Sequence, residues 1–140
     1  MIARDAPLPS LVKQPDEIDL FLYSAAVWNP HRIHYDRNYA LTEGHSDLVV
    51  QGPLQGNWIV ELVGSWAGPL SVVKRISYRH LSTAYVGELC TIDGKVVEVR
   101  QESADGVTVV CEASVRTPRG VSTRGRVEIW IPNARSADAS

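Results

Sequence analysis

A change of hydrophobic period near position 70 constrains the fold of this chain more than any other feature. From Leu54 the apolar residues Trp58, Ile59, Leu62, Val63 and Trp66 recur at steps of four, one, three, one and three, which is one broad helical face running for about four turns. Ala67-Gly68-Pro69 ends that helix, because glycine accepts the left-handed backbone of a helix C-terminus and proline cannot continue the ladder. Beyond Leu70 the period becomes two. Leu70, Val72, Ile76, Tyr78 and His80 share one face of an extended run, and Val107, Val109, Cys111, Ala113 and Val115 alternate with Thr108, Glu112, Ser114 and Arg116. Leu89 to Arg100 and Val121 to Ile131 supply two more strands, with Asp105-Gly106 and Pro118-Arg119-Gly120 as turns. Four strands in succession with short turns predict an antiparallel meander, and a sheet of four or five strands wrapped round the mostly apolar helix buries both. The expected fold class is therefore α+β.

Ahead of the central helix the chain is less regular. Pro15 to Val27 is compatible with a helix, with Asp16 and Glu17 at its positive end and Pro30 after it. Arg37 to Leu41 suits one further turn, and Glu43 to Asp47 a loop. The 140 residues are expected to form a single domain, with 1–14 as an N-terminal extension and 134–140 as a flexible tail. An apolar fraction of 44% and a charged fraction of 21% suit a soluble protein, since no stretch approaches the roughly 20 apolar residues of a bilayer-spanning helix. Residues 1–9 lack the apolar run of a secretory signal, so a cytoplasmic setting is expected and a membrane partner is not. A net charge of −2 gives no field to gather a polyanion, which argues against nucleic acid. Cys90 and Cys111 lie in apolar alternating runs and read as small buried hydrophobes.

The polar run Trp28-Asn29-Pro30-His31-Arg32-Ile33-His34-Tyr35-Asp36 gathers two imidazoles, an amide and a carboxylate beside an apolar helix. Shortly after it, Val49-Val50-Gln51-Gly52-Pro53 leads a strand-like stub into the central helix, with glycine and proline at its mouth. A proton-transfer group facing an oxyanion site is the chemistry that this pairing supports. With Ala84-Tyr85-Val86-Gly87-Glu88-Leu89 and the order of elements, these motifs resemble the MaoC-like branch of the hotdog superfamily, from about Leu20 to Ile131. The resemblance implies a hotdog fold and an (R)-specific enoyl-thioester hydratase or 3-hydroxyacyl-thioester dehydratase. It implies substrates carried by coenzyme A or acyl carrier protein, no metal or redox cofactor, and a homodimer or higher homo-oligomer, with a heterodimer of related subunits as a variant. Aligned on His34 and Asp36, the catalytic aspartate of the branch falls on Asn29. The form His-Arg-Ile-His-Tyr-Asp looks more like the subgroup of mitochondrial-type 3-hydroxyacyl-thioester dehydratases and mesaconyl-thioester hydratases.

Under that resemblance His34 is the candidate general base or acid, because imidazole titrates near neutral pH. Asn29 can orient water or substrate but cannot ionise, and His31 is the natural substitute for the missing carboxylate. Gly52, at a helix N-terminus, is the candidate oxyanion donor, and Gln51 is expected to line the site. Trp28 and Trp58 are candidate walls of an acyl tunnel, and Asp36 is expected to fix an imidazole tautomer or to cap the Arg37 turn. His45 and His80 are read as surface or capping residues. The His31/His34 spacing could suit a metal, but a third ligand is wanting. Two alternatives stand beside this reading: an acyl-coenzyme A thioesterase, with Glu61 deep in the helix as its poorly placed carboxylate, and a non-catalytic subunit of a heterodimeric dehydratase.

Overall fold

A computed structural model of the chain describes residues 2–133, so the tail expected at 134–140 lies outside the described residues. The elements follow in the order β1 (Leu11–Lys13), α1 (Glu17–Ala26), a 3-10 turn (Arg32–His34), α2 (Arg37–Thr42), α3 (Gly52–Ala67), β2 (Val72–His80), β3 (Cys90–Ser103), β4 (Gly106–Thr117) and β5 (Gly120–Pro132). One antiparallel sheet in the order β1-β3-β4-β5-β2 carries α3 on one face. This is the hotdog architecture.

The meander is shorter than the alternation predicts. Tight turns join β3 to β4 and β4 to β5, with Gly120 at φ 125. Between β2 and β3, however, residues 81–89 form no hairpin, and β2 pairs instead with β5 at the far edge. That connection is longer than hairpin loops allow. It crosses the end of the sheet and pairs with the stub before α3, through Val50 N–H to the Ala84 carbonyl at 2.9 Å and Val86 N–H to the Leu48 carbonyl at 2.9 Å. The opposite edge is completed by the N-terminal residues. Leu11, Val12 and Lys13 pair with Ile92, Thr91 and Cys90, and Pro7 bridges Lys95.

The core lies between α3 and the sheet. Ile59, Leu62 and Val63 are fully or almost fully buried against Ile92, Val96, Val109, Cys111, Val115, Val127 and Ile129. Close approach depends on two glycines: a Cβ at Gly94 would stand 2.9 Å from the Glu112 carbonyl oxygen and 3.1 Å from Leu62 Cδ2, and one at Gly125 2.9 Å from Ile59 Cδ1. Cys90 and Cys111 are free and buried, and burial pushes each thiol up to about 11. By contrast, every residue of β2 is exposed, Ile76 and Tyr78 among them.

Gly94→Val is expected to lower the unfolding free energy by about 1–3 kcal/mol through overpacking, read as a fall in the urea midpoint at constant slope.

Candidate active site

Local backbone chemistry builds the site from the α1 end. Trp28 leaves the helix at φ 54, and after Pro30 the chain enters the 3-10 turn. His31 caps that turn, its Nδ1 accepting from Ile33 N–H at 3.3 Å. His34 closes it and is buried. Its Nδ1 stands 2.7 Å from the carbonyl oxygen of Val49, and Val49 N–H donates to the Ile33 carbonyl at 2.9 Å. A carbonyl oxygen only accepts, so the His34 proton is on Nδ1 and the lone pair is on Nε2. Burial holds His34 below its ordinary value of 6.5; the Val49 contact opposes this, while His31 and His45 reinforce it. The ring is therefore a neutral base at neutral pH.

Val49 also leads to the other half of the site. It bridges Tyr85 and stands three residues before Gly52, so the His34 anchor and the first residue of α3 are within about 10 Å along the chain. The first N–H groups of α3 have no intrahelical acceptor, Pro53 has no N–H to leave unsatisfied, and the helix dipole favours negative charge there. Gly52 leaves room that the His80 ring occupies, since a Cβ there would lie 2.1 Å from His80 Nε2. Likewise a Cβ at Gly56 would lie 2.7 Å from the Tyr78 ring. His80 Nδ1 is 2.9 Å from Thr123 Oγ1, and the Thr123 and Ser122 hydroxyls both donate to Gln55 Oε1, at 2.8 and 2.6 Å.

The other residues singled out in the sequence take varied positions. Gln51 is completely buried and its Nε2 faces α1, donating to the Leu20 carbonyl at 2.7 Å and to Ser24 Oγ at 2.9 Å. It clamps α1 onto the mouth of α3, and its Oε1 is buried without a hydrogen-bond partner. Asp36 accepts from Tyr39 N–H as the cap of α2 and pairs with Arg32 at 2.6 Å, so the carbonyl of Val49, not Asp36, sets the His34 tautomer. Asn29 Oδ1 faces the N–H of His31 at 3.4 Å. The His31 and His34 ring centroids are 6.0 Å apart, and among the described residues no third ligand joins them. His45 packs edge-on against Tyr85.

The two tryptophans do not share a wall. Trp28 is 87% exposed and lines a cleft of about 180 Å³ with Phe21, Asn29 and Tyr35. Trp58 is buried and lines a separate cleft of about 420 Å³ with Leu22, Tyr23, Ala26 and Leu54. The second cleft runs between α1 and α3, one turn from Gly52. His80 and Tyr78 are the residues that the sequence reading left out of the site. Their i, i+2 spacing on a strand, on the face shared with Ile76, was the available signal.

The family model described as hydroxyacyl-thioester dehydratase type 2 matches residues 4–86, more than half of the chain. The chain belongs to that family. It is similar to mesaconyl-C(4)-CoA hydratase of Chloroflexus aurantiacus, 53% identical over 49 residues that make up 34% of this chain and 18% of that protein. It is also similar to the 3-oxo-4,17-pregnadiene-20-carboxyl-CoA hydratase beta subunit of Mycobacterium tuberculosis, 25% identical over 122 residues, covering 79% of this chain and 95% of that one. Among solved structures, the (R)-hydratase of A. caviae superposes with a TM-score of 0.85 at 18% identity, over 94% of this chain and 98% of that one, and so shares the fold. The chain spans less than a third of the length of the first curated relatives that it matches. No helix among the described residues is long and apolar enough to cross a membrane.

Gln51→Met is expected to lower stability by about 1–3 kcal/mol, because the buried Leu20 carbonyl and Ser24 hydroxyl lose their donor; chemical denaturation measures it. His34 also makes stability depend on pH. Because its pKa is lowered in the folded state, the unfolded chain binds more protons between that value and 6.5, so stability declines as pH falls below 6.5 and is unaffected by this group above it. The melting temperature of His34→Gln should therefore decline less on acidification than that of the wild type.

Proposed function

We propose that the chain is an (R)-specific enoyl-thioester hydratase, working in reverse as a 3-hydroxyacyl-thioester dehydratase, on acyl groups carried by coenzyme A or acyl carrier protein. The observation that carries this reading is the buried, neutral His34, with its proton committed to the Val49 carbonyl three residues before the mouth of α3. Hydration needs a base for water and a cradle for charge that develops on the thioester oxygen. His34 Nε2 takes a proton from water while the water oxygen bonds the β-carbon. The electron pair of the double bond moves toward the carbonyl, whose oxygen meets the Gly52 N–H and the positive end of α3. A proton at the α-carbon completes the addition. The apolar cleft lined by Leu22, Leu54 and Trp58 offers the acyl chain a path away from the mouth.

The family assignment supports this reading, as do the hydratase names of the relatives. A thioesterase fits less well. Glu61 is exposed, pairs with Lys13 at 2.9 Å, and stands about 13 Å along the helix axis from Gly52. The exposed edge of β2 fits pairing with a second copy into a continuous sheet. A second reading, a subunit that completes a heterodimeric dehydratase, is favoured by the beta-subunit relative matched over nearly its whole length and by Asn29 at the aspartate position. Two free, buried thiols fit a cytoplasmic setting.

Purified protein should remove the enoyl absorbance of crotonyl-coenzyme A or a longer enoyl thioester without releasing free thiol. His34→Ala should lower that rate by about 100-fold or more with the circular dichroism spectrum unchanged. Thiol release without hydration would identify a thioesterase instead, and a His34→Ala variant that keeps most of the rate would remove His34 from the mechanism.

A further inference from the structure

One imidazole at the helix mouth has no part in the scheme above. His80 ends the exposed edge strand β2, yet its ring lies against α3, with Nε2 and Cε1 at 2.1 and 2.6 Å from where a Gly52 Cβ would be. Its orientation follows from the hydrogen-bond inventory. The Thr123 hydroxyl has a single proton, which goes to Gln55 Oε1, so Thr123 Oγ1 can only accept from His80. Nδ1 therefore carries the proton of the neutral ring and Nε2 faces the mouth. Gln55 is itself buried on α3 and held by Ser122 as well, so the chain Ser122, Gln55, Thr123, His80 is anchored at its far end.

Hydration has two proton positions: the water that adds to the β-carbon, and the α-carbon. Asn29 cannot ionise, and His31 Nδ1 accepts from Ile33 N–H, so the neutral His31 ring has no free basic nitrogen for the α-proton in dehydration. The α-carbon is bonded to the carbonyl carbon whose oxygen Gly52 would hold, so a group that serves it must stand beside Gly52. His80 does. Resting on the hydratase reading, we propose that His80 Nε2 is the catalytic group that exchanges a proton with the α-carbon, paired with His34 on the water. In hydration, neutral His34 takes a proton from water as the oxygen bonds the β-carbon, the double-bond pair moves onto the thioester, and imidazolium His80 gives its Nε2 proton to the α-carbon. The pair ends with His34 protonated and His80 neutral. Proton exchange with solvent resets it, and dehydration runs the same steps backward. Nδ1 stays bonded to Thr123 throughout, so the ring need not turn.

Few other titratable groups face His80. On its own strand Tyr78 is in ring contact at 5.5 Å. From β5 it meets Thr123, and from α3 it meets uncharged Gly52. Beyond Tyr78 lies Tyr23 of α1, whose phenol is raised by burial and by Tyr78 and so stays neutral.

His80→Asn keeps an amide within reach of Thr123 and removes the atom at the Nε2 position; His80→Gln is the second variant should the first not fold. In the 140-residue chain, each is expected to lower kcat for enoyl-thioester hydration by about 100-fold with KM within about threefold. Nitrogen-15 NMR of the resting wild type should find His80 protonated on Nδ1. A variant with kcat within about threefold of wild type, or a resting Nε2–H tautomer, overturns the role of His80 alone. A wild type that hydrates no enoyl thioester overturns the hydratase reading and this role with it.

Discussion

Leu62 and Ile59 rest where Gly94 and Gly125 lack side chains, so α3 lies closer to the strands than side-chain-bearing positions would allow. Everything at the mouth of the helix inherits its position from that contact. With α3 held this low, its first residue reaches the level of β2 and β5, where the His80 and Tyr78 rings cover Gly52 and Gly56 and Thr123 reaches Gln55. Bulk at the sheet positions would lift the helix and open a gap under the site, since packed interiors transmit such strain instead of absorbing it.

The mouth is further fixed by polar groups whose partners are already assigned. Gln51 joins α1 to α3, and the ladder between 48–50 and 84–86 joins the stub to the β2–β3 connection. Two imidazoles then meet the ends of one four-residue segment, His34 at Val49 and His80 at Gly52. In both, the backbone or a hydroxyl holds Nδ1 and leaves Nε2 for chemistry. This shared arrangement fixes the orientation of each ring, and a group already oriented needs little reorganisation when charge moves.

The chain belongs to the type 2 hydroxyacyl-thioester dehydratase family, and the resemblance to the MaoC-like branch aligns Asn29 with that branch's aspartate. The structure gives that asparagine a backbone contact in the turn that supports His31. Exposed apolar groups gather in two places: Val72, Val73, Ile76 and Tyr78 on β2, and Phe21 and Trp28 beside the cleft near Asn29.

Local rules carried most of the architecture. Helical spacing from Leu54 to Trp66, the Gly68-Pro69 stop and the alternation in β4 and β5 each reflect a side-chain period that one segment imposes by itself, and so the helix, the strands and the buried cysteines could be read directly. His34 and Gly52 stood out for the same reason, as a polar cluster and a helix start. Strand order could not be read this way, because pairing of β2 with β5 instead of β3 depends on where a long connection runs, and no local period encodes that. Nor could the sequence decide which way Gln51 points or which group fixes the His34 tautomer. His80 shows the limit most clearly: twenty-eight positions from Gly52 in the sequence, it becomes its neighbour only when the sheet closes over the helix, because contacts between distant segments are set by the packing of whole elements and not by the residues on either side.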